Sequence, residues 1–153
     1  MPLISPHRRA QLKSRYPQLE SLYRSYISTA FGRFMAERKM MHKHDLEVKH
    51  YKDNFKHHGK YISQDGSDKW IIEEVFKRKK GGYFFECGAY TGAKKSNTFI
   101  LEQFYGWSGI CIEANPNYFK RLQRARNCIC LNNCIDGKEG EVDFLCHKTT
   151  GGI

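Results

Sequence analysis

An α/β fold with a parallel sheet is predicted for residues 61–153 from three observations. Strand-like segments rich in aromatic residues, isoleucine and cysteine recur, segments with helical character separate them, and the connections are short. The strand-like segments are 83–87, 109–113 and 128–132. Segments 96–105 and 116–126 are the helices between them. This alternation favours right-handed crossovers and a parallel sheet with helices on its faces.

Residues 16–36 are predicted to form a helix that precedes this domain. Apolar side chains recur there at steps of three and four residues, which places them on one helix face. This face is interpreted as a packing surface for the domain or a partner. A membrane-surface helix is the alternative, because basic residues flank the face. The apolar residues are Leu19, Leu22, Tyr23, Tyr26, Ile27, Ala30, Phe31, Phe34 and Met35; the basic residues are Arg24, Arg33, Arg38 and Lys39.

Most of the net charge of +10 lies in residues 1–60, which carry 13 Lys or Arg against 5 Asp or Glu, whereas residues 61–153 carry 13 against 11. Residues 42–60 lose the helical periodicity and are predicted to be a polar, histidine-bearing loop. Residues 1–60 are therefore interpreted as a basic helical extension and linker. Nucleic acid is a disfavoured partner, because the charge lacks an interleaved aromatic binding motif.

A short helix is expected before the first strand, with Ser67 as its N-cap and Asp68 in its first turn. Gly81 or Gly82 is expected to close it. Its predicted apolar face consists of Trp70, Ile71, Val75 and Phe76. Farther along the chain, Asn115 is expected to cap the helix that starts at Pro116, and a further strand is predicted at 142–145.

The unusual residues of the domain follow the first two strands, at the edge where parallel sheets bind ligands. The first strand ends in the pattern E-x-G-x-x-x-G, with Glu86, Gly88 and Gly92. Gly88 lets the backbone approach a ligand closely. Glu113 ends the second strand, where a carboxylate can accept hydrogen bonds from ribose hydroxyls.

Three kinds of site compete for this pattern. A nicotinamide or flavin site requires G-x-G-x-x-G, but Tyr90 and Ala93 stand where glycines are needed, and the G-K-[ST] ending of a P-loop is absent. Glu86 instead favours a ligand with a cationic group, such as the amino end of S-adenosylmethionine. An ordinary strand-to-helix turn remains the alternative without a ligand.

The run "GGYFFECGAYTGAKKSNTFILEQFYGWSGICIEANPNYFKRL" resembles the FkbM family of S-adenosylmethionine-dependent methyltransferases. The similar features, in order, are the E-x-G-A-x-x-G loop, the S-N-T helix start, the L-E pair, G-W-x-G and I-E-x-N-P. The stretches "SQDGSDKWI" before the run and "EGEVDF" after it are also similar to family sequences. The resemblance covers roughly residues 63–153, and the basic segment lies outside it.

This resemblance implies a Rossmann-like class I methyltransferase sheet and methyl transfer to a hydroxyl of a small molecule, glycan or lipid. It assigns the methionine part of the cofactor to the loop after the first strand, the ribose to Glu113, and the adenine to the region of Asn133 and Cys134. No catalytic base is assigned. The implied cofactor-binding residues are Glu86, Gly88, Ala89, Tyr90, Gly92, Asn97, Glu113, Asn115, Asn133 and Cys134.

A complete sheet of this class has seven strands, and the chain reaches about the fourth, so it is predicted to be an incomplete domain with an unpaired edge and an apolar face. The alternative function is a catalytically incomplete module that binds a partner through its basic helix. The cysteines are expected to be reduced, buried thiols and not zinc ligands, because their spacing matches no common zinc motif. With no secretory signal or membrane-spanning run visible, a cytoplasmic protein is expected.

Overall fold

The computed structural model describes residues 17–147 and 150–152, with side chains described for 24–146. The chain divides into two compact units, Met1–His42 and Lys43–Ile153. The predicted side chains at Leu19, Leu22 and Tyr23, and the first sixteen residues of the basic extension, lie outside what is described. The predicted division after residue 60 stays a prediction.

Helix α1 spans Pro17–His58, so the loop predicted for residues 42–60 is wrong over most of its length. Val48, Tyr51 and Phe55 follow one another at steps of three and four, and all three pack against the core of the second unit. Their spacing was a helical signal, but the surrounding charge obscured it. Hydrogen bonds between side chains four residues apart, such as Tyr51 to Glu47 at 3.2 Å, also support the helix.

A short helix, α2 (Ser67–Trp70), continues into a π-helical turn at Ile71–Val75. Its N-cap is Gly66 in the left-handed conformation, and not Ser67 as predicted. Asp68 lies in the first turn, and its buried carboxylate accepts hydrogen bonds from the backbone N–H groups of Ile62 and Ser63 at 2.7 and 3.1 Å. Asp68 therefore fastens the preceding segment to the helix.

The apolar face predicted for this helix is wrong in part. Ile72 is its fully buried side chain, whereas Trp70 and Val75 are exposed. The wider π turn changes the angle between successive side chains, so a face counted at 3.6 residues per turn points elsewhere. The helix also ends before the predicted glycines, and Lys77 and Arg78, which follow it, have positive φ angles, as does Gly81.

Strands β1 (Tyr83–Cys87), β2 (Ser108–Ile112) and β3 (Ile129–Leu131) alternate with helices α3 (Phe99–Tyr105) and α4 (Pro116–Ala125). The three strands form a parallel sheet in the order β1-β2-β3, which confirms the predicted α/β class. The strand cores fall within a residue of the predicted segments, and Glu86 pairs in register with Cys111. Helix α3 starts later than predicted, because Ser96, Asn97 and Thr98 bind a side chain instead of continuing the helix. Helix α3 connects β1 to β2, and helix α4 connects β2 to β3.

Helix α4 begins as predicted: the Asn115 side chain accepts a hydrogen bond from the Asn117 N–H at 3.0 Å, and Pro116 occupies the first turn. The strand predicted at 142–145 is displaced. Strand β4 spans Leu145–His147 and pairs antiparallel with β5 (Thr150–Gly152), in a separate two-stranded sheet. A hairpin satisfies the backbone groups of this segment locally, without the parallel sheet.

The core of the second unit lies on one face of the parallel sheet. Phe84 and Cys111 point from the sheet into it and meet Phe99, Ile100 and Leu122 from the helices. On the other face, apolar side chains stay exposed, which agrees with the predicted apolar face; they are Tyr83, Phe85, Ile129 and Leu131. In the described part of the chain, no helix has the length and apolarity needed to cross a bilayer.

Candidate functional site

A cavity of about 620 Å³ lies at the carboxyl ends of β1 and β2. Its walls come from the loop after β1, the end of β2, the start of α4 and the segment after β3. Eight of the ten residues predicted to bind a cofactor line it, and these are Glu86, Gly88, Ala89, Tyr90, Glu113, Asn115, Asn133 and Cys134. The two others, Gly92 and Asn97, are not among the lining residues.

The Glu86 carboxylate, predicted to face a cationic ligand, lines the cavity and is bound by several protein donors. Its Oε1 accepts a hydrogen bond from the Asn97 N–H at 2.8 Å, and its Oε2 accepts from the hydroxyls of Ser96 and Thr98 at 2.8 and 2.5 Å. The carboxylate is 7% exposed. Glu86 therefore acts mainly by holding the segment between the glycine loop and α3.

Arg126 supplies the positive charge that this buried acid needs. Its guanidinium lies 3.4 Å from Glu86 and also pairs with Glu102, and it donates to the carbonyl of Gly92 at 3.1 Å. The Arg126 side chain is completely buried and lies over the ring of Phe84 at 5.2 Å. A buried charge persists only when paired in this way, so Arg126 joins the glycine loop, β1 and α3.

Sequence reasoning missed Arg126 because it follows α4, forty residues after Glu86. One signal was available, since two acids destined for the interior require a buried cation. The sequence does not say which of its 26 Lys and Arg residues supplies that cation.

Glu113 has a different environment at the end of β2. Its Oε2 accepts a hydrogen bond from the Tyr90 N–H and its Oε1 accepts one from the Asn115 N–H, both at 2.8 Å. A carboxylate offers about four lone-pair sites, so each oxygen keeps acceptor capacity, and Glu113 lines the cavity. The amide of Asn132 fixes the backbone below it by donating to the Glu113 carbonyl at 2.7 Å.

The two glycines of the loop differ in what surrounds them. Gly88 has φ +68° and open space where a Cβ would stand, at the cavity wall. Gly92 has φ +83°, and a Cβ there would lie 3.0–3.1 Å from Leu122, Ala125 and Arg126. Gly88 therefore leaves its backbone open to a ligand, whereas Gly92 allows the loop to pack against α4.

Aromatic and basic residues that were not predicted as site residues complete the cavity. Tyr118 in α4 packs edge-to-face on Tyr90, with ring centroids 4.4 Å apart. Lys94 and Lys95 are exposed and line the wall. Further lining residues are Gln64, Cys87, Ser96, Ile112, Ala114, Ile135 and Phe144. Tyr118 was accessible to prediction, since it follows the capped start of a helix at the site edge.

Of the cysteines expected to be buried, Cys111 is buried, whereas Cys87 is exposed. Burial raises the pKa of Cys111 and Cys128, and raises that of Cys130 to about 12. Among the residues with described placement, no three His, Cys, Asp or Glu side chains lie close enough together to hold a metal ion.

The chain was compared with protein-family models, curated proteins and solved structures, and none of them matches it. The resemblance to the FkbM family therefore stays a prediction.

Proposed function

We propose that the second unit is a Rossmann-like S-adenosylmethionine-dependent methyltransferase domain that binds its cofactor in the cavity at the ends of β1 and β2. The observation that carries this proposal is the position of Glu113. Each of its two oxygens accepts one backbone N–H group and keeps acceptor capacity, and Glu113 lines a cavity whose volume of about 620 Å³ suits a nucleoside-sized ligand. Vicinal ribose hydroxyls match this acceptor pair.

The lining residues fit the other parts of such a cofactor. Gly88 leaves its backbone accessible beside the position for the methionine part, since it has no Cβ and open space beyond it. Cys134, Ile135 and Phe144 offer an apolar wall for the adenine. Glu86 contributes indirectly, through the loop it holds, because its oxygens are engaged by protein donors. When bound, the cofactor supplies an electrophilic methyl group.

The methyl acceptor in this proposal is a hydroxyl on a small molecule, glycan or lipid. Transfer requires that oxygen to be aligned behind the methyl group and its proton to be removed. We assign no residue to proton removal. Lys94 and Lys95 stand exposed at the cavity wall and are positioned to attract an acceptor with negative charge.

Isothermal titration calorimetry of S-adenosylmethionine and S-adenosylhomocysteine against the full chain tests the cofactor site. Glu113→Ala is expected to weaken binding by at least about a hundredfold, since the two hydrogen bonds from the ribose hydroxyls to a charged group contribute about 1.5–3 kcal/mol each. Glu74→Ala is the matched control, because Glu74 is exposed on the π turn and is absent from the cavity wall. Equal affinity for Glu113→Ala and the wild type, or no binding by a folded chain, would contradict the proposal.

A further inference from the structure

The first unit carries an apolar surface that the proposed methyltransferase site does not use. Five large side chains of α1, here called the apolar stripe, are all exposed, with Phe31 at 63% and Phe34 at 53%. At 100° per residue they fall on one side of the helix. Exposed apolar groups in a contiguous set mark interaction sites. The stripe consists of Tyr26, Ile27, Phe31, Phe34 and Met35.

Basic residues border the stripe. On the helical wheel Arg33 falls beside Tyr26 and Arg24 beside Met35. Arg38 and Glu37 fall within the arc of the stripe, and the Arg38 guanidinium lies 5.8 Å from the centre of the Phe34 ring. From residue 24 to residue 39 there are four basic side chains and one acid, Glu37. The opposite side of the helix is formed by small or polar residues, which are Ser25, Ser28, Thr29, Gly32 and Ala36.

We propose that residues 24–39 bind the surface of an anionic lipid bilayer. The apolar stripe would enter the boundary between headgroups and acyl chains, and the arginines at its edges would reach the phosphates while their methylene groups stay in apolar surroundings. The helix lies in the plane of the surface, consistent with the absence of any bilayer-spanning helix in the described residues.

Charge complementarity favours this occupant over two others. A second copy of the helix would bring two sets of four basic side chains together around the stripe, which is unfavourable. Nucleic acid would neutralise the arginines but leave the aromatic and aliphatic side chains in water. An anionic bilayer satisfies both the charge and the apolar surface, since each basic residue near such a surface adds to binding.

Co-sedimentation of the full chain with vesicles tests this surface. Vesicles of phosphatidylcholine alone and vesicles mixed with phosphatidylserine are compared at low and at physiological salt. Binding is expected with the anionic vesicles and is expected to weaken with salt. Arg33→Gln combined with Arg38→Gln is expected to lower the partition coefficient about 25-fold, or roughly fivefold per charge.

Phe31→Ser combined with Phe34→Ser is expected to lower the same coefficient by about a hundredfold, because both rings would lose their burial. Trp70→Ser is the matched apolar control, since Trp70 is equally exposed but lies outside the first unit. Lys79→Gln with Lys80→Gln is the control for charge. Both controls should bind as the wild type does.

Three outcomes would overturn the proposal. The first is that the chain binds neither kind of vesicle, and the second is that the two phenylalanine substitutions leave binding intact. In the third, light scattering would find a dimer that these substitutions dissociate while vesicles are ignored, which would assign the stripe to self-association. Far-UV circular dichroism of each variant verifies that the helix is retained.

Discussion

Two glutamates end neighbouring strands of one sheet, and they have opposite relations to their surroundings. Glu86 at the end of β1 is bound by two hydroxyls, a backbone N–H and Arg126. Glu113 at the end of β2 receives two backbone N–H groups and faces the cavity with acceptor capacity left. Acids near the carboxyl ends of adjacent strands therefore need not have the same role. Here a distant arginine decides which acid is structural and which is available to a ligand.

The largest expected effect follows from removing the cation on the structural side. Arg126→Met should lower the free energy of unfolding by about 3–5 kcal/mol, because it leaves Glu86 and Glu102 buried without a counter-charge. Urea titration followed by circular dichroism measures this loss. Arg124→Met, which breaks the exposed pair with Asp45, should cost no more than about 1 kcal/mol. Similar losses for the two variants would disprove the assignment of Arg126 as the stabilising cation.

The loop glycines separate the same two roles. Gly92→Ala should cost about 2–4 kcal/mol of unfolding free energy, since it combines a left-handed backbone with crowding by Leu122 and Ala125. Gly88→Ala should cost only about 1–2 kcal/mol, from the backbone alone, while adding a methyl group at the cavity wall. Chemical denaturation and ligand calorimetry measure the two effects. A larger stability loss at Gly88 would reverse this distinction.

A double-mutant cycle sharpens the contrast between the carboxylates. Glu86→Gln and Arg126→Met should be coupled by about 1–3 kcal/mol, as expected for contacting charges in one network. The cycle of Glu113→Gln with Arg126→Met should give coupling near zero, because Glu113 is bound through Tyr90 and Asn115 instead. Equal coupling in the two cycles would mean that both acids belong to one electrostatic unit.

The smallest expected effect concerns His44, a buried histidine outside the Arg126 network. His44 is 3% exposed and donates from Nε2 to the Arg121 carbonyl at 3.0 Å. Desolvation lowers the pKa of His44 below 6.5, and the Arg121 hydrogen bond and Glu47 oppose this shift only in part. The unfolded chain therefore binds the proton more readily. The unfolding free energy should be unaffected by His44 above about pH 6.5 and should decrease as the pH falls below that value.

The slope of unfolding free energy against pH that His44 contributes should not exceed about 1.4 kcal/mol per unit. His44→Gln keeps a donor for the Arg121 carbonyl and should flatten the curve between about pH 7 and 5.5. His57→Gln, at an exposed histidine, should leave the curve unchanged. A wild-type curve that is already flat between these pH values would show that burial does not lower the pKa of His44.

The order of strands and helices could be predicted because each element has a local signal. The aromatic run Tyr83-Phe84-Phe85 indicates β1, and the pair Asn115-Pro116 indicates the start of α4. What could not be predicted depends on contacts far apart in the chain. The burial of Ile72 depends on a π turn, and the length of α1 depends on Val48, Tyr51 and Phe55 finding the core.

The candidate site shows the same division between local and distant information. Eight residues inferred from motifs line one cavity, because the motifs lie at the ends of adjacent parallel strands. The hydrogen-bond partners of Glu86 could not be inferred from its motif. Its surroundings are set by Arg126, whose role no local pattern reveals. Lys94, Lys95 and Tyr118 were visible as residues, but their orientation toward the cavity was not.

The position of Arg126 also has a kinetic consequence. The guanidinium reaches Glu86 across forty residues of chain and Glu102 across a shorter span, so the network closes only after β2 and α4 have assembled. Until then we expect Glu86 to be hydrated, and the loop after β1 lacks the contacts with Arg126 that hold its final conformation. We therefore expect the cavity to be among the last parts of the second unit to fold, and the sheet pairing of β1 with β2 to precede it.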